Sequence, residues 1–260
     1  MKTKILSALI MLPLLLVLYF GGPVLIAACF LIGMMAVREF YNGFNEMGVK
    51  PSYVIAYVST FALYAMNLLA LDTKWYMLWF FGVVVASLLY LFKIEERQLT
   101  DATATITGIF YVVFFSYHVV LVDQTGEYSM LIWLIILSAF GTDIMAYFTG
   151  VLIGKHKLCP KISPKKTIEG SIGGILGSVL LCGLFGYFFF DRILIHCIIF
   201  GVLGGVISQF GDLTASIFKR KMGIKDYGNL IPGHGGILDR FDSVLFTAPM
   251  VYYYIMLVLV

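Results

Sequence analysis

Two aspartates stand inside otherwise apolar segments of the chain. Asp143 lies about seven residues before the end of one such segment, and Asp212 lies about six residues before the end of another. At 1.5 Å of rise per helical residue, each would lie roughly 10 Å inside its segment. An acid at that depth in a bilayer must be paired or hydrated, so the matched depth predicts a shared hydrated cavity. The alternative is that each acid pairs with a lysine between helices.

A basic loop precedes a glycine-rich helix start at residues 163–174. The loop contains two adjacent lysines. Its polar and charged residues are Ser163, Lys165, Lys166, Thr167, Glu169 and Ser171. Backbone N–H groups at a helix start favour a phosphate group, although the GxxxxGK[ST] pattern of a P-loop is absent. The alternative is a basic loop attracted to anionic lipid headgroups.

The densest polar segment covers residues 216–242. Five basic residues, three acids, one histidine and five glycines fall within it. Asp239 and Asp242 are three residues apart and share one face of a helix, and Ser208, Asp212 and Ser216 form a polar stripe at a spacing of four. Carboxylates beside cations and flexible glycines predict a site for magnesium and a polyphosphate.

Composition indicates what must position these residues. Apolar residues make up 60% of the 260 and charged residues 13%, with a mean hydropathy of +0.94. Soluble domains carry roughly 25% charged residues, so the composition predicts a protein embedded in lipid. The net charge of +3 is too small to argue for a nucleic-acid partner.

Long apolar runs predict an all-α polytopic membrane protein of about nine transmembrane helices. The predicted spans are 4–20, 23–41, 53–71, 75–92, 104–122, 130–150, 171–190, 193–218 and 243–260. With a cytoplasmic N-terminus, 16 of the 18 basic residues face inward, as the positive-inside rule requires. We therefore expect one membrane domain, 1–260, in the cell membrane, with residues 1–130 as a helical scaffold. Residues 131–260 would supply catalytic helices and an active site facing the cytoplasm.

Residues 216–242 also resemble the signature of the phosphatidate cytidylyltransferase family, S-x-x-K-R-x4-K-D-x-G-x2-[apolar]-P-x-H-G-G-x2-D-R-x-D. Every fixed position is met: Ser216, Lys219, Arg220, Lys225, Asp226, Gly228, Pro232, His234, Gly235, Gly236, Asp239, Arg240 and Asp242. The resemblance covers about residues 130–260. It implies that CTP and phosphatidate give CDP-diacylglycerol and pyrophosphate.

The resemblance implies roles for individual residues. Catalytic roles fall to Asp212, Asp239, Lys225 and His234, and magnesium would be held by Asp212 and Asp239, with Asp143 and Asp242 lining or supporting its site. A second cation such as K⁺ can lie alongside. Substrate-binding candidates are Ser163, Lys165, Lys166, Thr167, Glu169, Ser216, Lys219, Arg220, Gly235, Gly236 and Arg240. The basic residues are not divided between the two substrates.

Other functions remain open at this point. Related CTP-using enzymes, such as lipid kinases or archaeal-lipid cytidylyltransferases, act on other membrane substrates. An ion-coupled transporter also uses intramembrane acids, but we find no inverted repeat. A homodimer is compatible with the sequence. Arg38 and Glu39, which close the second span, are interpreted as an interfacial pair.

Overall fold

The computed structural model describes residues 13–230 and 235–260. Residues 13–20 are helical, and eight longer helices follow: α1 (Gly22–Glu46), α2 (Tyr53–Leu68), α3 (Thr73–Leu89), α4 (Leu99–Asp123), α5 (Ile132–Ile153), α6 (Ile168–Phe189), α7 (Leu194–Lys221) and α8 (Leu238–Tyr254). Two short strands, β1 (Lys157–Cys159) and β2 (Ser163–Thr167), pair antiparallel between α5 and α6. A π-helical turn, Ile109–Phe114, interrupts α4.

The prediction of an all-α polytopic membrane protein is confirmed. In the described part of the chain, seven helical stretches are long and apolar enough to cross a membrane, and the 16-residue helix α2 is apolar but shorter. Each predicted span from 23–41 onward coincides with a helix. The predicted span 4–20, with Lys2 and Lys4 at its start, lies largely outside the described residues. The count of nine and the cytoplasmic N-terminus therefore stay predictions.

The described residues group into two compact units. The first comprises those within Met1–Tyr117 and Lys221–Arg240, and the second those within His118–Arg220 and Phe241–Val260. The division of roles at residue 130, between scaffold and catalytic helices, is a separate question and stays a prediction. Each unit contributes residues from the polar segments that the sequence singles out.

In the first unit, hydrogen bonds between distant residues fix α1 and the α1–α2 loop against α4. The Tyr41 hydroxyl donates to the carbonyl of Thr105 at 2.6 Å. The backbone N–H of Lys50 donates to Asp101 at 2.7 Å, and that of Ser52 donates to the Thr105 hydroxyl at 2.8 Å. The Ser52 side chain then caps α2 by accepting from the N–H of Ile55. Buried polar groups are thus satisfied inside the protein, as an apolar solvent demands.

In the second unit, glycines bring α5, α6 and α7 into close contact. A Cβ atom at Gly174 of α6 would lie 2.9 Å from the carbonyl oxygen of Thr142 in α5. One added at Gly205 of α7 would lie 3.0 Å from the Cα of Ile175 in α6. Small residues at helix crossings allow this backbone approach and are typical of membrane helices. This packing holds the loops that α5, α6 and α7 carry.

Many large apolar side chains on the helices of both units are exposed. Phe61, Phe81, Leu176 and Phe210 are each more than half exposed, although all four lie on apolar helices. In a water-soluble protein such a surface would be costly. In a membrane these side chains face lipid tails, so the exposed apolar surface agrees with the span assignment.

Candidate active site

The basic loop of the second unit folds as a β-hairpin. Lys157 lies opposite Thr167, and Cys159 lies opposite Ser163. The Thr167 side chain caps α6 by accepting from the N–H of Gly170 at 3.1 Å, which is a common role for threonine at a helix start. The predicted substrate ligand Thr167 is therefore buried and occupied in capping. The hairpin sets Lys165 and Lys166 directly before that helix start.

Glu169 anchors the segment that enters the hairpin. Its carboxylate accepts from the backbone N–H groups of Lys155 and His156 at 3.1 and 3.2 Å. It also contacts the Nδ1 atom of His156 at 2.6 Å. These contacts assign Glu169 a structural task that the sequence did not suggest, and its predicted contact with substrate stays a prediction.

In the second unit, the charged side chains of Lys166 and Asp212 are in contact. The Lys166 ammonium forms an ion pair with Asp212 Oδ2, and the two side chains are 28% and 22% exposed. Burial lowers the pKa of Lys166 from its usual 10.5, while the negative charges of Asp143 and Asp242 act to raise it. One lysine thus contacts Asp212 and is influenced by the charges of Asp143 and Asp242. The ion pair of Asp212 corresponds to the alternative raised from the sequence, in which an acid pairs with a lysine. A cavity shared by Asp143 and Asp212 stays a prediction.

Ser243 connects two of these acids. Its hydroxyl donates to Asp143 Oδ2 at 3.4 Å, and its backbone N–H donates to Asp242 Oδ1 at 2.8 Å. Asp242 and Ser243 are buried, at 7% and 1% exposure, whereas Asp143 is exposed. The carboxylates are therefore oriented by the first turns of α8, although nothing in the sequence singled out Ser243.

A cavity of about 480 Å³ opens beside this cluster. Its lining combines three lysines with apolar and polar helix residues, among them Tyr147, Val151, Lys157, Lys165, Lys166 and Gln209. Tyr147 and Val151 belong to α5 and are 67% and 68% exposed, so this side of the cavity borders the apolar surface of a membrane helix. The cavity can therefore accept an anionic group that is attached to an apolar chain.

Gln209 forms part of the cavity wall and is held in place by α6. Its Oε1 atom accepts from the Ser171 hydroxyl at 2.5 Å, and its Nε2 atom donates to the Ser171 carbonyl at 3.2 Å. Sequence reasoning missed Gln209 and Lys157. Lys157 and Gln209 lie outside the polar segments 163–174 and 216–242. Only the folded hairpin and the α6–α7 contact bring them to the cavity.

In the first unit, Asp239 orders the glycine turn that precedes α8. Its Oδ2 atom accepts from the backbone N–H groups of Tyr227 and Gly236 at 2.8 and 2.9 Å. Gly235 adopts a φ of +85°, which favours glycine. A Cβ atom there would also lie 2.8 Å from Asp239 Oδ2. The predicted ligands Gly235, Gly236 and Asp239 thus form one local structure.

The remaining predicted site residues have the following places. Arg220 Nε donates to the carbonyl of Ile162 at 3.3 Å, which ties the end of α7 to the hairpin turn. Lys219 lies close enough to Lys166 to repel its charge. Ser216 is half-buried on α7, Lys225 is exposed after it, and Arg240 is half-buried at the start of α8. His234 lies outside the described residues.

The carboxylates near Lys166 are the candidate ligands of the predicted magnesium ion. No group of three His, Cys, Asp or Glu side chains among the described residues is arranged to hold a metal. Magnesium is usually held by one or two carboxylates together with substrate phosphates, so such a group is not required. Asp143, Asp212 and Asp242 supply oxygen atoms of the kind that this ion prefers. The residues present therefore fit magnesium bound together with a polyphosphate.

Comparison with known proteins places the chain in a family. Residues 2–258 match the model of the cytidylyltransferase family. A phosphatidate cytidylyltransferase from Synechocystis sp. is 35% identical over 93% of this chain and 92% of its own length. Enzymes of the same name from Staphylococcus epidermidis and Staphylococcus haemolyticus are each 36% identical over 95% of both chains. The chain belongs to the cytidylyltransferase family.

Proposed function

We propose that this protein transfers CMP from CTP to phosphatidate, giving CDP-diacylglycerol and pyrophosphate. The relatives that carry this activity in their name align over nearly the whole chain. The observation that carries the proposal is the lysine-lined cavity of the second unit. Asp143 and Lys166, the ion-pair partner of Asp212, contribute to its lining, and its α5 side borders an apolar helix surface. The phosphates of a water-soluble nucleotide require charged side chains, and a membrane lipid requires an apolar surface beside its charged headgroup.

The reaction needs no nucleophile from the protein. A phosphate oxygen of phosphatidate forms a bond to the α-phosphorus of CTP, and the bond from that phosphorus to the pyrophosphate oxygen breaks. The protein must align these atoms in line and neutralise charge on the leaving pyrophosphate. Lys166 and Lys219 offer positive charge beside the carboxylates of the second unit. They are suited to holding phosphate oxygens through charge-assisted hydrogen bonds.

Magnesium would supply further charge neutralisation at the phosphate oxygens. Asp212 would hold it within the second unit, with Asp143 and Asp242 as supporting carboxylates. The assignment of Asp239 as a further ligand stays a prediction, as does a second cation such as K⁺. The Lys166 ammonium forms an ion pair with the Asp212 carboxylate, and this contact holds the carboxylate in place.

The cavity is suited to the phosphate of phosphatidate. Lys157 and Lys165 line it together with Lys166, and Tyr147 and Val151 leave its α5 side apolar and exposed. Acyl chains can then stay in the bilayer along α5 while the phosphate reaches the lysines. CTP would approach from the aqueous side, where α7 carries Lys219 and Arg220.

The bias of basic residues supports a site on the cytoplasmic side of the cell membrane, because 16 of the 18 lie in the segments predicted to be inside. CTP is present on that side. A homodimer stays a prediction. No partner beyond the two substrates and the bilayer is needed for the proposed reaction.

The position of the transferred label tests the reaction. Purified protein in phosphatidate micelles with Mg²⁺ receives CTP labelled at either the α- or the γ-phosphate. We expect the α-label to enter the lipid and pyrophosphate to be released in equal amount. Transfer of the γ-label would instead identify a lipid kinase, and the absence of either transfer would overturn the proposal. Uptake of substrate into proteoliposomes without CTP would favour the transporter alternative.

A further inference from the structure

Glu39 of α1 lies against the backbone that opens α8, a place that its sequence position did not indicate. Its Oε1 atom accepts from the N–H of Ile237 at 3.0 Å, and its Oε2 atom accepts from the N–H of Leu238 at 2.9 Å. The first N–H groups of a helix have no partner inside the helix. They are usually capped by a neighbouring side chain, whereas here a residue about two hundred positions away supplies both acceptors.

The two glycines around this carboxylate show how closely the loop is fitted to it. A Cβ atom added at Gly228 would lie 2.6 Å from Glu39 Oε1, and one added at Gly236 would contact Oε2 even more closely. Both glycines belong to the 216–242 signature. Their lack of a side chain is therefore explained by the presence of Glu39, and not by backbone freedom alone.

Two carboxylates divide the N–H groups of the turn between them. Asp239 accepts from Tyr227 and Gly236, while Glu39 accepts from the next two N–H groups along the chain. The position of the Asp239 backbone thus depends on Glu39, because the Leu238 N–H that Glu39 holds immediately precedes it. Both oxygens of Glu39 are engaged by the backbone, so its task is to hold the turn.

Other contacts of α1 point to the same task. The Phe40 ring lies 5.9 Å from that of Tyr227. One turn later, a Cβ atom at Gly43 would lie 2.6 Å from the sulfur of Met222. Residues 222–228 and 236–238 therefore contact α1 at Glu39, Phe40 and Gly43, and Glu39 is the charged residue of these three.

We propose that Glu39 is a positioning residue for the reaction: it fixes the Gly235–Leu238 turn and, through it, the orientation of Asp239. The inference rests on the proposed function for its kinetic consequence. It gives α1, in the part of the chain that the family signature does not cover, a direct task in assembling the site.

The kinetic test uses Glu39→Ala and Glu39→Asp, which remove the carboxylate or withdraw it by one methylene. We expect kcat to fall about 10- to 100-fold, as small displacements of catalytic groups do, while KM for CTP changes less than about threefold. Glu46→Gln, an exposed residue on the same helix, is the control and should keep wild-type kcat. Wild-type kcat in both Glu39 variants would overturn the inference.

A double-variant cycle separates positioning from general loss of structure. Gly236→Ala places a methyl group against the Glu39 carboxylate and should reduce kcat strongly. In the Glu39→Ala background the methyl group has room, so the second substitution should cost at least about fivefold less than in the wild type. Effects that simply multiply would show that the two residues act independently and would contradict the proposal.

Hydrogen exchange measures the contact without any catalysis. In Glu39→Asp, the amides of Ile237 and Leu238 should exchange at least about tenfold faster than in the wild type, while those of α6 stay unchanged. Unchanged exchange at these two amides would overturn the inference. If the wild-type protein shows no activity but Glu39→Asp still gives this faster exchange, the proposed function is refuted and the Glu39 contact is established.

Discussion

Lys166 and Asp212 form an ion pair within the second unit, between the end of a β-hairpin and a membrane helix. The two residues are 46 positions apart in the sequence. The negative charges of Asp143 and Asp242 also act on the Lys166 ammonium. The catalytic chemistry proposed above depends on that local charge balance.

Replacing Lys166 tests this balance. Lys166→Met removes a charge that would otherwise bind phosphate oxygens, and hydrogen bonds to charged groups contribute about 1.5–3 kcal/mol. We therefore expect kcat/KM to fall roughly 10- to 100-fold, since about 1.4 kcal/mol corresponds to a factor of ten. Steady-state rates of CDP-diacylglycerol formation measure it. Lys161→Met, an exposed lysine in the hairpin turn, is the control, and equal rates in the two variants would refute the role of Lys166.

The cavity beside Lys166 makes a separate prediction about which substrate it binds. Lys165→Met should raise KM for phosphatidate about 5- to 10-fold, because Lys165 lines the cavity that borders the apolar face of α5. The same substitution should change KM for CTP less than about twofold. Both constants can be measured in mixed micelles at varied surface concentrations of lipid. Lys155→Met, whose exposed side chain does not line the cavity, should change neither. An increase confined to KM for CTP would assign the cavity to the nucleotide instead.

Asp239→Asn separates the charge of Asp239 from its structural task. Asparagine retains one oxygen that can accept hydrogen bonds from the backbone N–H groups of Tyr227 and Gly236. It cannot supply the negative charge that magnesium requires. We expect kcat to fall at least about 100-fold with an unchanged melting temperature, whereas Asp239→Ala should also lower that temperature. Titration of activity with Mg²⁺ measures the effect, and Asp212→Asn should behave like Asp239→Asn. The control is Asp72→Asn, at a side chain that is 74% exposed; a near-normal rate in Asp239→Asn would exclude Asp239 as a ligand.

Much of the membrane architecture was predictable because span length and apolar composition are local properties. Each apolar run from 23–41 onward became a helix, since a bilayer leaves the backbone few alternatives. The hairpin was not predicted. Its strands are three and five residues long, too short for a reliable periodic signal, and their pairing depends on the turn between them.

The site was predictable where chemistry is concentrated and unpredictable where it depends on distant contacts. The acids and lysines around Lys166 were named from burial cost and charge. Glu39, however, contacts backbone atoms 198 and 199 residues away, and a single glutamate near a helix end carries no sign of such a partner. Gln209 was missed for the same reason, because Ser171 in another helix sets its orientation.

The close approach of α5 and α6 predicts how a glycine substitution will behave. Gly174→Ala places a Cβ atom 2.9 Å from the carbonyl oxygen of Thr142 and 3.0 Å from the Cβ of Ala146, so the two helices must separate. We expect a destabilisation of about 1–3 kcal/mol, which is measurable as a lower melting temperature in detergent. Gly183→Ala, on the same helix, meets only Ile198 at 3.5 Å. It should be neutral or stabilising by up to about 1 kcal/mol, because alanine favours the helix over glycine. Activity should fall only in Gly174→Ala, because α5 carries Asp143 and the hairpin connects α5 to α6. Equal melting temperatures for the two variants would show that this contact does not hold the α5–α6 crossing.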